Sequence, residues 1–270
     1  MLRKEYHDCY LSQADVYFVS AFGYDGGMKI LRLAVHWLLG LTAVFLLIAC
    51  NNAPIPAPDL PATKIVARSA ARMQTLEGFR FVIDRSGAPA FVDPKETISF
   101  SRAIGEYVAP NRARATVRVI LPGLVTELNI ISIDSVQWET NVATGQWEEL
   151  PPNWGFNPTV LFDSEVGLQA VLASDLSNVA FVGTETIEDG PNKPLYALTG
   201  DVAGERLFQM SNGLIGPDSV QVKLWIAPET FELHRIVATE PVADADEPSI
   251  WQVDFSEFDR VVEISPPVVE

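Results

Sequence analysis

Between Arg112 and Leu121 the sequence RARATVRVIL sets Ala113, Ala115, Val117, Val119 and Leu121 on one side of an extended chain, and Arg112, Arg114, Thr116 and Arg118 on the other. A period of two is the mark of a strand with one face buried and one face wet, and a helix cannot satisfy it. The same habit recurs along most of the chain. Phe79, Phe81 and Ile83 alternate with Arg80, Val82 and Asp84, and ETISFSRAIGEYV offers a long strand after a turn at Ser86-Gly87. Pro122-Gly123 turns RARATVRVIL into VTELNIISI; SVQWET follows, then Gln146-Trp147 beyond a loop from Asn141 to Gly145. NVAFVGTETIE, PLYALTGDVA, SVQVKLWIA, FELHRIVATE and SIWQVDFSEFD complete the set. The spacing predicts about eleven strands in an antiparallel meander joined by short turns.

Helices are few. Asp59 can cap one from about Leu60 to Leu76, with Ile65, Ser69, Met73 and Leu76 along a stripe and Gly78 as its stop. The insert PPNWGFNPTVLFDSEVGLQAVLASD can open a helix at Ser164, with Val166, Ala170 and Val171 on one side and Leu168 and Leu172 beside them. GERLFQMSNG is a further short helical piece. Two α+β architectures fit this pattern. A closed barrel or sandwich fills its own interior, whereas a curved sheet with helices across its concave side retains a hollow, because short helices cannot fill so wide a trough. NIISI, NVAFV and VKLWIA are apolar on both faces, so both sides of the sheet are covered in places.

Ahead of this domain, Lys29 and Arg32 introduce an apolar run that ends Leu47-Ile48-Ala49-Cys50. A basic start, a hydrophobic stretch of about 17 residues and small residues before a cysteine form an export signal, and at that length an uncleaved membrane span is the lesser reading. Residues 28–49 are therefore expected to be a signal peptide, and Cys50 the acylated first residue of the mature chain. Residues 1–27 are then a mis-assigned or disordered leader. Residues 50–59, with prolines at 54, 56 and 58, form a semi-rigid tether. Residues 60–267 form one domain. The protein is expected on the outer face of the cytoplasmic membrane or in the cell envelope.

Cleavage removes four basic and four acidic residues, so the formal net charge stays at −16. Such a surface repels phosphate backbones and excludes nucleic acid as a partner. With Cys50 acylated no disulfide remains, and the fold must hold by burial. His234 is the single histidine after Cys50, which excludes a multi-histidine zinc site, and no nucleophile, zincin or phosphate-loop motif occurs. Asp244, Asp246 and Glu247 lack the glycine and terminal glutamate of a calcium loop. No enzyme, cofactor or metal is expected.

SVQWETNVATGQWEELPPNWGFNPTVLFDSEVGLQAVLAS resembles the middle of the LppX/LprAFG lipoproteins: an aromatic-ended strand, a tryptophan strand, an Asn-Pro helix start and a Gly-Leu helix. VGTETI, YALTGDV, VKLWIAPETFELHRIVATE and WQVDFSEFDRVVEISPP resemble that family's second half in order and spacing, and FRFVIDRSG its start. The similarity covers most of residues 60–267 and extends, more distantly, to the LolA/LolB lipoprotein carriers. It implies a half-barrel sheet with helices over its concave face, enclosing an apolar cavity. It also implies an acylated lipid or lipoglycan ligand carried between membrane and outer envelope. No catalytic residue is carried over.

For such a cavity the alternation nominates Phe79, Phe81, Ile83, Ile98, Phe100, Val117, Val119, Leu128 and Ile130. From the later strands it nominates Val220, Val222, Leu224, Trp251, Val253 and Phe255, with Met73, Leu168, Val171 and Leu172 as helical cover. Each of them can equally fill a solid core. Trp138, Trp147 and Trp154 suit either a portal or the core, and Arg112, Arg114 and Arg118 either lipid phosphates or a solvated strand face. The expected chain is a monomer held to the membrane by its lipid, and any membrane transporter that loads it is not named by the sequence. The competing reading is a non-enzymatic envelope sensor or protein-binding scaffold on the same fold.

Overall fold

The computed structural model describes residues 58–151, 157–241 and 246–269. The apolar run and Cys50, the leader, Trp154 and Asp244 lie outside these residues.

Helix α1 (Ala62–Gln74) opens the domain. Its N-cap is Pro61, with no side-chain cap, and the Pro61 carbonyl accepts from the Lys64 and Ile65 amides, so Asp59 does not cap it. Ile65, Val66, Ser69, Ala70 and Met73 form the buried stripe. The helix ends at Thr75, three residues before Gly78, which begins a strand instead of stopping the helix. A Cβ on Gly78 would stand 2.4 Å from the Arg260 carbonyl oxygen and 2.9 Å from that of Tyr107, so this close approach of three chain segments demands glycine.

Twelve strands follow. They are β1 (Gly78–Gly87), β2 (Ala90–Phe91), β3 (Ser99–Val108), β4 (Arg112–Leu121), β5 (Leu124–Ile133), β6 (Val136–Thr140), β7 (Trp147–Glu149), β8 (Leu176–Glu185), β9 (Leu195–Val202), β10 (Val220–Ile226), β11 (Leu233–Glu240) and β12 (Ser249–Ser256). All are antiparallel in one open sheet, ordered β7-β6-β5-β4-β3-β1-β12-β11-β10-β9-β8, with β2 paired to β3 outside that path. The two halves are meanders, as the turn spacing predicts. Their seam lies between the first strand and the last, with Phe81 opposite Phe255 and Ile83 opposite Val253. Consecutive strands β7 and β8 therefore sit at opposite edges, and the chain between them must cross the sheet.

That crossing segment supplies most of the cover. Asn157 caps a four-residue turn, α2 (Pro158–Leu161), its side chain accepting from the Thr159 amide at 3.0 Å. A second start at Gly167 gives α3 (Leu168–Ala170), which runs on into a π turn over Val171–Asp175. The expected start at Ser164 is displaced because Asp163 binds the Glu165 and Val166 amides in a turn, leaving Val166 exposed. Between β9 and β10 lies α4 (Gly204–Met210).

The convex face carries a cross-strand ladder of ion pairs: Arg102–Asp84 at 3.2 Å, Arg114–Glu106 at 2.7 Å and Arg118–Glu127 at 2.7 Å. Arg114 and Arg118 are thus spent on the solvated face, while Arg112 donates to the Ile264 carbonyl oxygen. Behind VKLWIA a small second core joins Ile187, Leu195, Ala197 and Trp225, with Trp225 Nε1 donating to Glu185 at 2.9 Å. NVAFV has no such cover, and Val182 is about half exposed.

Candidate functional site

Pairing fixes which strand ends lie together. Gly78 faces Val108, and Val108 faces Arg112, so the start of β1, the end of β3 and the start of β4 share one end of the sheet. At the opposite end lie the end of β1, the starts of β3 and β12, and the β4–β5 turn. Val220 faces Val202, which faces Leu176, so β8, β9 and β10 add α4 to that same opposite end.

The concave side differs between the two ends. At the first, five aromatic rings interlock. Phe162, just after α2, stands edge-on to Phe79 at 4.9 Å between centroids, and within 4.9–6.1 Å of Phe81, Tyr107 and Phe255. Phe79 also meets Tyr107 at 5.1 Å and Phe255 at 5.5 Å. Gly105 makes room for this packing, since a Cβ there would lie 2.5 Å from Phe81 Cζ. Burial, with Asp163 nearby, pushes the Tyr107 hydroxyl up to about 12, so it stays protonated and donates to the Pro110 carbonyl.

At the second end the cover does not close on the sheet. A cavity of about 100 Å³ separates them. Its floor is Ile83, Phe100, Val222, Leu224, Ile236, Ala238, Trp251 and Val253 from the sheet, and Leu176 and Val202 at the edge. Its roof is Leu161, Leu168, Val171 and Leu172 from the crossing segment, with Leu207, Met210, Ser211, Leu214 and Ile215 from α4 and the loop after it. Ser211 is the single polar lining residue, and its oxygen is taken by the Ile215 amide at 2.9 Å. Phe100 and Trp251 stack at 5.4 Å. Trp251 Nε1 donates to buried Glu240, which also accepts from the Gly216 amide and so ties the roof loop to β11. Arg85, at the same end, spends its donors on the carbonyls of Phe100, Gly87 and Ala88, and burial lowers its pKa.

Of the nominated residues, Ile83, Phe100, Leu168, Val171, Leu172, Val222, Leu224, Trp251 and Val253 line the hollow. Phe79, Phe81 and Phe255 belong to the aromatic plug. Val117, Val119, Leu128 and Ile130 lie on the concave face of β4 and β5, the two strands α2 packs over. Val220 is fully packed at the start of β10, Met73 is buried on the inner stripe of α1, and Ile98 serves the turn before β3 by donating to Asp93 at 2.6 Å. Missing from the nominations are Leu161, Leu176, Val202, Leu207, Met210, Ser211, Leu214, Ile215, Ile236 and Ala238. The spacing of Leu207, Met210 and Leu214 (i, i+3, i+7) is that of one helical face and could have revealed those three, and Ile236 and Ala238 alternate along their strand as the nominated residues do. Trp138 is buried on the convex side, away from the hollow.

A wider groove of about 370 Å³ lies on the convex face, but Arg80, Arg102, Arg118, Glu106 and Glu127 line it beside Ile104, Gly105 and Thr116, so it is charged where the hollow is not. His234 stacks edge-on to Phe258 at 5.1 Å and does not line the cavity. Among the described residues no group of three or more His, Cys, Asp and Glu is placed to hold a metal. No helix among them is long and apolar enough to cross a membrane.

The family profile described as LppX_LprAFG lipoprotein matches residues 61–264. The crystal structure of LprF from Mycobacterium bovis superposes with a TM-score of 0.58 at 16% identity, covering 80% of this chain and 99% of that one. LppX from Mycobacterium tuberculosis gives 0.53 at 15% identity, covering 77% and 100%. A LolA superfamily protein from Nitrosomonas europaea aligns over 76% of this chain at a TM-score of 0.28, too low to add to the fold assignment. No curated protein matches the chain by sequence.

Proposed function

The chain belongs to the LppX_LprAFG lipoprotein family, and from that premise we propose that it is a lipid-binding lipoprotein, anchored through Cys50, that takes acyl chains into the hollow beneath its helical cover. One observation carries the reading: of nineteen residues lining the hollow, eighteen are apolar and the remaining Ser211 is already hydrogen-bonded. Each methylene drawn from water into such a space gains about 0.8 kcal/mol, and no polar group stands there to be left unpaired. Binding through methylenes alone also accounts for a lining without an acid, a base or a nucleophile, so we assign the protein no catalysis.

The present volume sets a condition. A dry cavity of about 150 Å³ holds one benzene ring, so about 100 Å³ seats only a few carbons of a chain. Carrying a whole acyl chain, and releasing it between membrane and outer envelope, requires the cover to rise. The make-up of the cover favours such a movement. The pieces α2, α3, the π turn and α4 are three to seven residues long, and such short elements open locally at lower cost than strands held by continuous pairing on both sides. The β-sheet floor has no comparable freedom.

Native mass spectrometry of the protein purified without detergent tests this. Acyl lipid should co-purify at a fixed stoichiometry and vanish when the hollow is filled by Ala238→Leu. A folded wild-type protein that carries no acyl species, and takes none up from vesicles, would overturn the proposal and leave an envelope sensor or scaffold in its place.

A further inference from the structure

The turn between β4 and β5 is built from Ile120, Leu121, Pro122, Gly123, Leu124 and Val125, six consecutive residues without a charge or a polar side chain. Hairpin tips facing water are ordinarily polar. Here Ile120, Leu124 and Val125 are 39%, 54% and 59% exposed. Nothing packs near Gly123, at φ +76°. The nearest charged residues, Arg118 and Glu127, neutralise each other at 2.7 Å.

The tip stands at the cavity end. Ile120 is paired with Ser99, immediately before Phe100 of the cavity floor. Phe208, 41% exposed, lies on α4 between Leu207 and Met210 of the roof. Val92, 45% exposed, donates to the Ile98 carbonyl at the start of β3. The exposed apolar side chains at this end thus adjoin the elements that enclose the hollow.

We infer that the β4–β5 tip is a membrane-docking element that enters the interface of a zwitterionic bilayer and brings the cavity end against the acyl chains. A protein with a net charge of −16 is repelled by anionic headgroups, and an uncharged apolar tip is the part that can enter a neutral surface. The inference rests on the lipid-carrier reading for the presence of that bilayer.

Hydrogen–deuterium exchange of the full-length protein reconstituted in phosphatidylcholine vesicles tests it. Residues 119–126 should be protected at least tenfold relative to the detergent-solubilised protein, while the exposed loop around Val142 is unchanged. Leu124→Asp with Val125→Asp, both at exposed positions, should abolish that protection and slow uptake of a fluorescent acyl lipid from the vesicles at least tenfold, with co-purified lipid retained. A tip that exchanges equally with and without vesicles overturns the inference, even if lipid co-purifies, and assigns the patch to a protein partner. Protection of the tip in a protein that never takes up lipid supports docking and refutes the carrier.

Discussion

The two ends of the concave face are lined by the same strands and built to opposite purposes. On β1, Phe81 lies against Phe162, and Ile83, two residues on, borders the void. On β12, Phe255 sits in the plug and Trp251 and Val253 in the hollow. The floor is continuous, so the difference comes from above. Phe162 descends between the rings at one end, whereas the π turn and α4 bridge the other without filling it. Large rigid rings interlock with few alternatives, and branched aliphatic side chains under short helical pieces can repack around a guest. One end fixes the fold, and the other can yield.

Breaking the plug should produce the largest effect. Phe81→Ala is expected to cost about 3–5 kcal/mol, read from the denaturant midpoint, and a cost below about 1 kcal/mol would show that the plug is as loose as the hollow. Gly105→Ala pushes a methyl group towards Phe81 Cζ at 2.5 Å and the Arg114 carbonyl at 2.3 Å, and should cost about 1–3 kcal/mol by overpacking. Ala238→Leu adds bulk to the hollow instead, and should change stability by less than about 1 kcal/mol while eliminating co-purified lipid. Equal penalties for the Gly105 and Ala238 substitutions would erase the distinction between the ends.

The smallest effect concerns pH. Burial holds the His234 imidazole below its ordinary value of 6.5, with Glu232 opposing. The unfolded chain therefore binds the proton more readily than the folded one. This contribution to stability is fully present above pH 6.5 and is lost as pH falls towards the lowered folded value. His234→Gln should flatten the slope of stability between pH 7 and 5. Since no ionisable group lines the hollow, lipid retention over that range should be unchanged by the substitution. A parallel change in retention would tie the two ends together.

Much of this fold was legible because a period of two is hard to mistake. RARATVRVIL alternates in burial as its letters do, from Ala113 to Val119. What alternation cannot give is position along the strand: it says that Phe81 and Ile83 share a face, and nothing about which of them meets a ring and which a void. It is equally silent on partners far apart in sequence, so the β1–β12 seam was not readable. The two-residue β2 is too short for any period. The roof was the least legible part, because α2, α3 and the π turn are set by local caps at Asn157 and Asp163 and are too brief to show an amphipathic stripe.

The seam has a consequence for how the molecule is made. Phe81 finds its place beside Phe255, so the middle of the sheet is zipped by the ends of the chain. A nascent polypeptide emerging amino-terminus first can assemble the leading meander, but the centre stays unzipped until the final segment emerges. Long-range pairing of this kind is slow. Assembly is thereby postponed until almost the whole chain has been delivered, a delay that suits a polypeptide threaded through a narrow passage before it may take its shape.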